Sequence, residues 1–240
     1  SIEEFNDLID KIEKYSEEAV INISYFCEAT EHSNLIDLIK IITNKPGLSV
    51  LIETTGKNLS ENLVKEIAQI VNNAPKPTNG YERMYWIVHL DAVTEQMYAK
   101  VNGNDFSLAQ ATQSYELLKK YFEKTSYPQF VRMDINDEEL ESFFRYWKAQ
   151  GQNNQDGNLI IQKYDHYCGF LPSRKVADLS PVIRYPCWQL RREMYILIDG
   201  SVPRCKECLT NNILGNVFNE NLEEIFNKSL INIKQQLNNQ

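Results

Sequence analysis

Five short runs rich in β-branched and aromatic residues alternate with amphipathic helical stretches through the first two thirds of this chain. No other feature restricts its fold as much. The runs are 19–26 (Ala-Val-Ile-Asn-Ile-Ser-Tyr-Phe), 48–54, 84–90, 128–134 and 158–163. Between them apolar residues recur at helical spacing, which predicts helices at 33–44, 60–72, 93–100, 107–124 and 136–149. A further helix at 2–15 is carried by Ile2, Phe5, Leu8, Ile9 and Ile12. Ser60 stands where an N-cap belongs, and Pro46-Gly47 stops the helix before the second run. Strands alternating with helices imply right-handed βαβ crossovers, and therefore a mostly parallel sheet.

In such a sheet the chemistry collects where the strands end at their C-termini. Those ends carry Cys27-Glu28, Glu53-Thr54-Thr55-Gly56, His89 to Asp91, Arg132 to Asp134 and Lys163 to Asp165. Glu28 reads as functional, because a carboxylate at a strand end needs a cationic partner when buried. A net charge of -8 argues against a general nucleic-acid binder, since phosphate neutralisation needs surplus Lys and Arg on one face. No run of eighteen apolar residues is present, so no membrane span is expected, and without an apolar leader the cytoplasm is the default location.

The last third differs. After a Gln/Asn/Gly-rich stretch at 150–158 the chain turns irregular, then offers a hairpin reading: Met194–Ile198, a turn at Asp199-Gly200, and Ser201–Cys205. A Gly215-Asn216 turn and a helix at 220–237 follow, which divides the chain into domains at 1–163 and 164–240. Four of the five cysteines, Cys168, Cys187, Cys205 and Cys208, fall in the second part. Cys205 and Cys208 are two residues apart, a spacing that turns both sulfurs onto one metal, and four thiolates complete a zinc site or hold an iron–sulfur cluster. Spacing alone leaves zinc, iron–sulfur and buried free thiols open.

Here the residues resemble a known family. Tyr185-Pro186-Cys187-Trp188, then Met194 through Asp199-Gly200-Ser201-Val202, Cys205, Gly215-Asn216 and Ile225-Phe226-Asn227 is similar to the SPASM/twitch extension of radical S-adenosylmethionine (SAM, AdoMet) enzymes. That extension reads Pro-Cys, a hairpin with Asp-Gly-x-Val, a Cys, then Gly-Asn and a helix. Upstream, Glu28 stands where the family has Gly-Glu-Pro, with Cys27 and Ala29 in place of Gly and Pro. Glu53-Thr54-Thr55-Gly56 is similar to its Glu-Thr-Asn-Gly, Val88-His89-Leu90-Asp91 to its Ser-Leu-Asp, and Tyr98 to Gly103 to its Tyr-x-x-(Ile/Val)-Arg-Gly segment. The Cys-Trp, Cys-x2-Cys and Asp178-Leu179-Ser180-Pro181 wording resembles SPASM proteins of spirochaetes.

The resemblance implies a partial (β/α)6 radical SAM barrel lacking its first strand, followed by a small SPASM hairpin-and-helix domain. The family's Cys-x3-Cys-x2-Cys loop does not occur in these 240 residues, so the sequence reads as truncated downstream of it. In the family that loop's cluster passes one electron to SAM, which fragments to a radical that abstracts substrate hydrogen. By this resemblance Cys168, Cys187, Cys205 and Cys208 hold an auxiliary cluster, of 4Fe-4S type or with zinc as purified. Glu28, Glu53, Thr54, His89 and Asp91 bind SAM. The implied partners are an electron donor such as ferredoxin or flavodoxin and a small-molecule or peptide substrate. The chain alone is expected not to initiate radicals. The competing reading is a non-catalytic, zinc-stabilised α/β scaffold or binding module.

Overall fold

The computed structural model describes residues 1–150, 159–167, 170–174, 176, 189–206, 209 and 212–238, the side chains of 232–238 excepted. Five strands form one sheet: β1 (Val20–Asn22), β2 (Ser49–Thr54), β3 (Met84–His89), β4 (Ser126–Arg132) and β5 (Ile160–Lys163). Their order is β1-β2-β3-β4-β5 and every pairing is parallel. An order without reversal, combined with right-handed crossovers, puts all the intervening helices on one face. The sheet curls away from them as half of a (β/α) barrel: the alternation implied the parallel sheet, and the resemblance implied the partial barrel.

The covering helices are α2 (Leu35–Thr43), α3 (Glu61–Asn73), α4 (Glu95–Asn102), α5 (Leu108–Tyr121) and α6 (Leu140–Gln150), and α1 (Ile2–Tyr15) precedes the sheet in sequence. The strand side chains alternate. Val50 and Ile52 of β2, and Met84, Trp86 and Val88 of β3, are buried, as are Ile39, Ile42, Val64, Ile67 and Leu118 of the helices. The opposite face carries Leu51 and Glu53 on β2 and Tyr85, Ile87 and His89 on β3, in the register Glu53 with Ile87 and His89 with Gln129. Helix starts follow local chemistry: Ser60 Oγ accepts from Leu63 N at 3.2 Å, Thr94 caps α4, and Ser107 with Gln110 closes a capping box on α5.

The run 19–26 forms a strand only over Val20–Asn22. Asn22 Oδ1 accepts from both Ser24 N and Ser24 Oγ at 3.0 Å, which turns the backbone out of the sheet. Short polar side chains competing for backbone groups thus outweigh the β propensity of Tyr25 and Phe26.

The chain divides into two compact units, Ser16–Tyr164 with the sheet, and Glu3–Tyr15 together with Asp165–Gln240. The second unit holds α7 (Gln189–Arg192), β6 (Ser201–Pro203), β7 (Ile213–Asn216) and α8 (Leu222–Asn238). Its core is Val202, Val217, Leu222 and Ile225, against which α1 lays Leu8 and Ile12. Lys11 Nζ donates to Val217 O at 2.6 Å, and the Tyr15 and Phe226 rings meet at 5.7 Å. The hairpin here is not the expected one. β6 pairs antiparallel with β7, while Met194–Ile198 forms no strand and instead leads into the tight turn at Asp199-Gly200. Gly215-Asn216 lies in β7, and the turn follows it, with Asn219 N and Glu220 N both bonded to Asn216 O. Among the described residues no helix is long and apolar enough to cross a membrane.

Candidate functional site

The C-terminal ends of β1 to β3 and the middle of β4 bring together Asn22, Glu53, His89 and Gln129 in one row, with Asp91 beside His89. Asn22 Nδ2 donates to Glu53 Oε1 at 2.6 Å, and Glu53 Oε2 lies 3.5 Å from His89 Nε2. His89 Nδ1 faces Gln129 Nε2 at 3.1 Å and Asp91 Oδ2 at 3.9 Å. A neutral His89 with its proton on Nε2 satisfies both neighbours. A second proton on Nδ1 requires Gln129 to present its Oε1 instead. Ser24 fixes the near end: its Oγ accepts from Glu53 N at 2.6 Å, so the turn after β1 sets the carboxylate's backbone.

Glu28 sits in the loop between β1 and α2 with both carboxylate oxygens engaged by the Thr54-Thr55 end of β2. Oε1 accepts from Thr54 Oγ1 at 2.6 Å and lies 2.9 Å from Thr30 Oγ1. Oε2 accepts from Thr55 N and Thr55 Oγ1, each at 2.8 Å. Among the described residues its hydrogen-bond partners are hydroxyls and an amide. Gly56 completes the motif with φ +86°; a Cβ there would come within 2.6 Å of Ser114 Cβ on α5, whose Oγ donates to Gly56 O.

Burial opposes protonation of His89, but the Glu53 hydrogen bond and the charges of Asp91, Glu53 and Glu28 together outweigh it, and the imidazole pKa lies above its usual value. Asp91 is 5% exposed and desolvation raises its carboxyl to about 6, against the opposing pull of His89 and of the Val131 amide. Its backbone is left-handed, φ 57°, which an Asp tolerates. Asp91 Oδ1 accepts from Val131 N at 2.6 Å, and Asp91 O from Asn136 Nδ2 at 2.9 Å.

The five residues named as SAM ligands thus occupy one end of the sheet, but they do not stand alike. Glu28, Glu53 and His89 are partly exposed, whereas Thr54 and Asp91 are buried and hold Glu28 and the β3–β4 junction in place. Arg132 is engaged by Asp137, with Nε to Oδ1 at 2.5 Å. Cys27 is exposed, and burial of its sulfur and the neighbouring Glu28 raise its thiol pKa. Of the four cysteines named as metal ligands, Cys168, Cys187 and Cys208 lie outside the described residues. Cys205 is half-buried just beyond β6. A donor set that is all sulfur fits an iron–sulfur cluster or zinc.

Gln129, Asn22, Ser24 and Asn136 were not singled out by the sequence. Gln129 is 1% exposed and Asn136 fully buried. A glutamine inside the otherwise apolar run Pro128 to Val131 is the signal that was there, because a buried polar side chain needs a partner.

Comparison with known proteins agrees with this fold. Residues 187–239 match the SPASM family, an iron–sulfur cluster-binding domain. An uncharacterized protein of Treponema pallidum (strain Nichols) is 40% identical over 232 residues, which cover 94% of this chain and 62% of that protein. The chain therefore spans about three fifths of the length of this curated relative. Among solved structures, histidine-tagged anSMEcpe with bound AdoMet superposes with a TM-score of 0.67 at 14% identity, over 97% of this chain and 70% of that one. Native anSMEcpe with bound AdoMet and the Cp18Cys peptide gives 0.63 at 13% identity, over 97% and 74%.

Proposed function

We propose that this chain, whose residues 187–239 match the SPASM iron–sulfur cluster-binding domain and whose fold is that of a radical SAM half-barrel, forms the AdoMet-facing half-barrel and auxiliary-cluster domain of a radical SAM enzyme. The observation that carries this reading is that the Glu53–His89 pair and the Glu28 carboxylate, held by Thr54 and Thr55, gather at the C-terminal end of a singly wound parallel sheet. AdoMet is a sulfonium with an ammonium group and ribose hydroxyls, so carboxylate acceptors and an imidazole suit its recognition. In this reading Glu28, Glu53 and His89 reach AdoMet. Thr54 holds the Glu28 carboxylate, and Asp91 holds the β3–β4 junction beside His89. Cys168, Cys187, Cys205 and Cys208 hold the auxiliary cluster, which supplies one-electron transfer or an iron site for substrate. An electron donor such as ferredoxin or flavodoxin and a peptide or small-molecule substrate complete the scheme.

The test is metal analysis and a visible spectrum on protein purified without oxygen, with AdoMet binding by equilibrium dialysis. About four irons and a broad band in the blue are expected, with iron reduced in both Cys205→Ser and Cys208→Ser. Glu53→Gln is expected to weaken AdoMet binding about tenfold, the worth of one charge-assisted hydrogen bond. Colourless protein with one zinc, unaltered by iron reconstitution, moves the assignment to a zinc-stabilised module.

A further inference from the structure

Lys206 stands between Cys205 and Cys208 in sequence, and it is buried, 9% exposed. A lysine is almost never found so deep without a partner. Its ammonium lies 3.0 Å from Asp165 Oδ2, with the two side chains 11% and 15% exposed. Asp165 is held in turn, because its Oδ1 accepts from Tyr167 N at 2.9 Å. Phe170 N is bonded to Tyr167 O, and Leu171 N to His166 O. Both partners belong to the same compact unit. The pair therefore ties the segment that leads into Cys168 to the segment that carries Cys205 and Cys208.

We propose that the Lys206–Asp165 ion pair is a clasp that holds two cysteine-bearing segments in register for the auxiliary cluster, with Lys206 a positioning residue and not a ligand. Burying an ion pair adds little net stability, and the best-attested use of such pairs is to select one register among several. Four thiolates drawn from distant parts of a chain need such selection, since a cluster site binds only when its sulfurs converge. The proposal rests on the cluster assignment above.

The test compares wild type with Lys206→Met, Asp165→Asn, the double variant and Lys206→Arg, each purified without oxygen. Two quantities are read: the rate of iron release to a ferrous chelator, and the electron paramagnetic resonance spectrum of the dithionite-reduced protein. Each single neutralisation is expected to speed release about tenfold or more, the usual effect of losing a support behind metal ligands. The double variant is expected to be no faster than the worse single, because both remove one shared interaction. Lys206→Arg keeps the pair and is expected to restore the wild-type rate and spectrum. Where a single variant loses its native circular dichroism, the double variant decides, since it leaves no unpaired charge buried. Release and spectrum at wild-type values in the double variant overturn the clasp and leave the cluster reading intact. Wild type without iron removes both.

Discussion

Glu53 Oε2 and His89 Nε2 lie 3.5 Å apart on neighbouring parallel strands, on the face of the sheet that carries no helix. The strand register puts them there: Glu53 aligns with Ile87, and His89 is two residues farther on the same face. The pair gives the first prediction. Burial alone lowers the pKa of His89, and the Glu53 hydrogen bond is the largest opposing contribution. Glu53→Gln is therefore expected to move the His89 titration, followed by NMR of the ring protons, to lower pH. His89 is raised in the folded state, so its stabilising contribution is complete below the usual 6.5 and disappears as pH rises through the folded value. An unmoved titration in Glu53→Gln would show that the two side chains do not interact.

Asp91 gives a prediction of the same sign from the opposite charge type. Its carboxyl titrates near 6 in place of 3.8, so folding favours the protonated form. That contribution is present below pH 3.8 and is lost as pH rises through about 6. It amounts to about 3 kcal/mol at roughly 1.4 kcal/mol per pH unit. Asp91→Asn keeps an acceptor for Val131 N and tolerates the left-handed backbone, but carries no charge. The stability of Asp91→Asn relative to wild type, from urea unfolding at a series of pH values, is expected to climb between pH 4 and 6. A flat difference across that interval sinks the idea.

How far these features were legible in sequence depends on whether a residue acts through pattern or through its neighbours. The alternation that buries Ile52 and Trp86 was readable, as was the Ser60 cap, because both rest on short-range periodicity and local hydrogen bonding. Glu28, Glu53, His89 and Asp91 stood among the strand-end residues that a parallel sheet converges, and the family resemblance singled them out. The partners of these residues were not. Asn22 and Ser24 end β1 early through side-chain bonds to the backbone that a propensity count does not see. Asn136 reaches Asp91 O across 45 residues, a contact that only the fold creates. In the second unit the expected strand Met194–Ile198 yielded to Ile213–Asn216, whose Leu214 packs on the Val202 and Ile225 cluster.

Arg83 supplies a prediction at the other end of the sheet. Buried just before β3, it donates to the carbonyls of Lys45 and Leu48, at 2.8 and 2.6 Å, and to that of Pro75. Burial lowers its pKa. These carbonyls belong to the connections that leave α2 and α3, so one guanidinium closes two loops. Arg83→Met leaves them without a donor and is expected to destabilise the sheet unit by about 3 kcal/mol or more. AdoMet affinity measured below the transition temperature is expected to stay at the wild-type value, since the strand-end row is untouched. A loss of affinity equal to that of Glu53→Gln would show that the two ends of the sheet are coupled.

Gly200 carries the last prediction, in the turn that orders the second unit. Its φ is +79°, and Gly200 N bonds to Leu197 O while Val217 N bonds to Gly200 O, both at 2.9 Å. Asp199 completes the turn by accepting from Ser201 N at 3.0 Å and Ser201 Oγ at 2.9 Å, and Asn216 Nδ2 donates to Asp199 O at 2.8 Å. A Cβ on Gly200 would meet Phe218 Cε2 at 2.7 Å and Asn216 Oδ1 at 2.8 Å. Asn216 Oδ1 is held by the bond it accepts from Phe218 N, and Val217 between the two residues is fully buried in the core. Gly200→Ala combines a left-handed backbone penalty with overpacking, and is expected to cost about 2 to 4 kcal/mol. Hydrogen exchange locates the damage. The amides of Ser201 and Val217 are expected to lose protection, while those of Val50 and Val88 in the sheet keep theirs, because the two units have separate cores. Equal loss in both units would mean that they unfold as one, and an unchanged pattern would mean that the turn yields without strain.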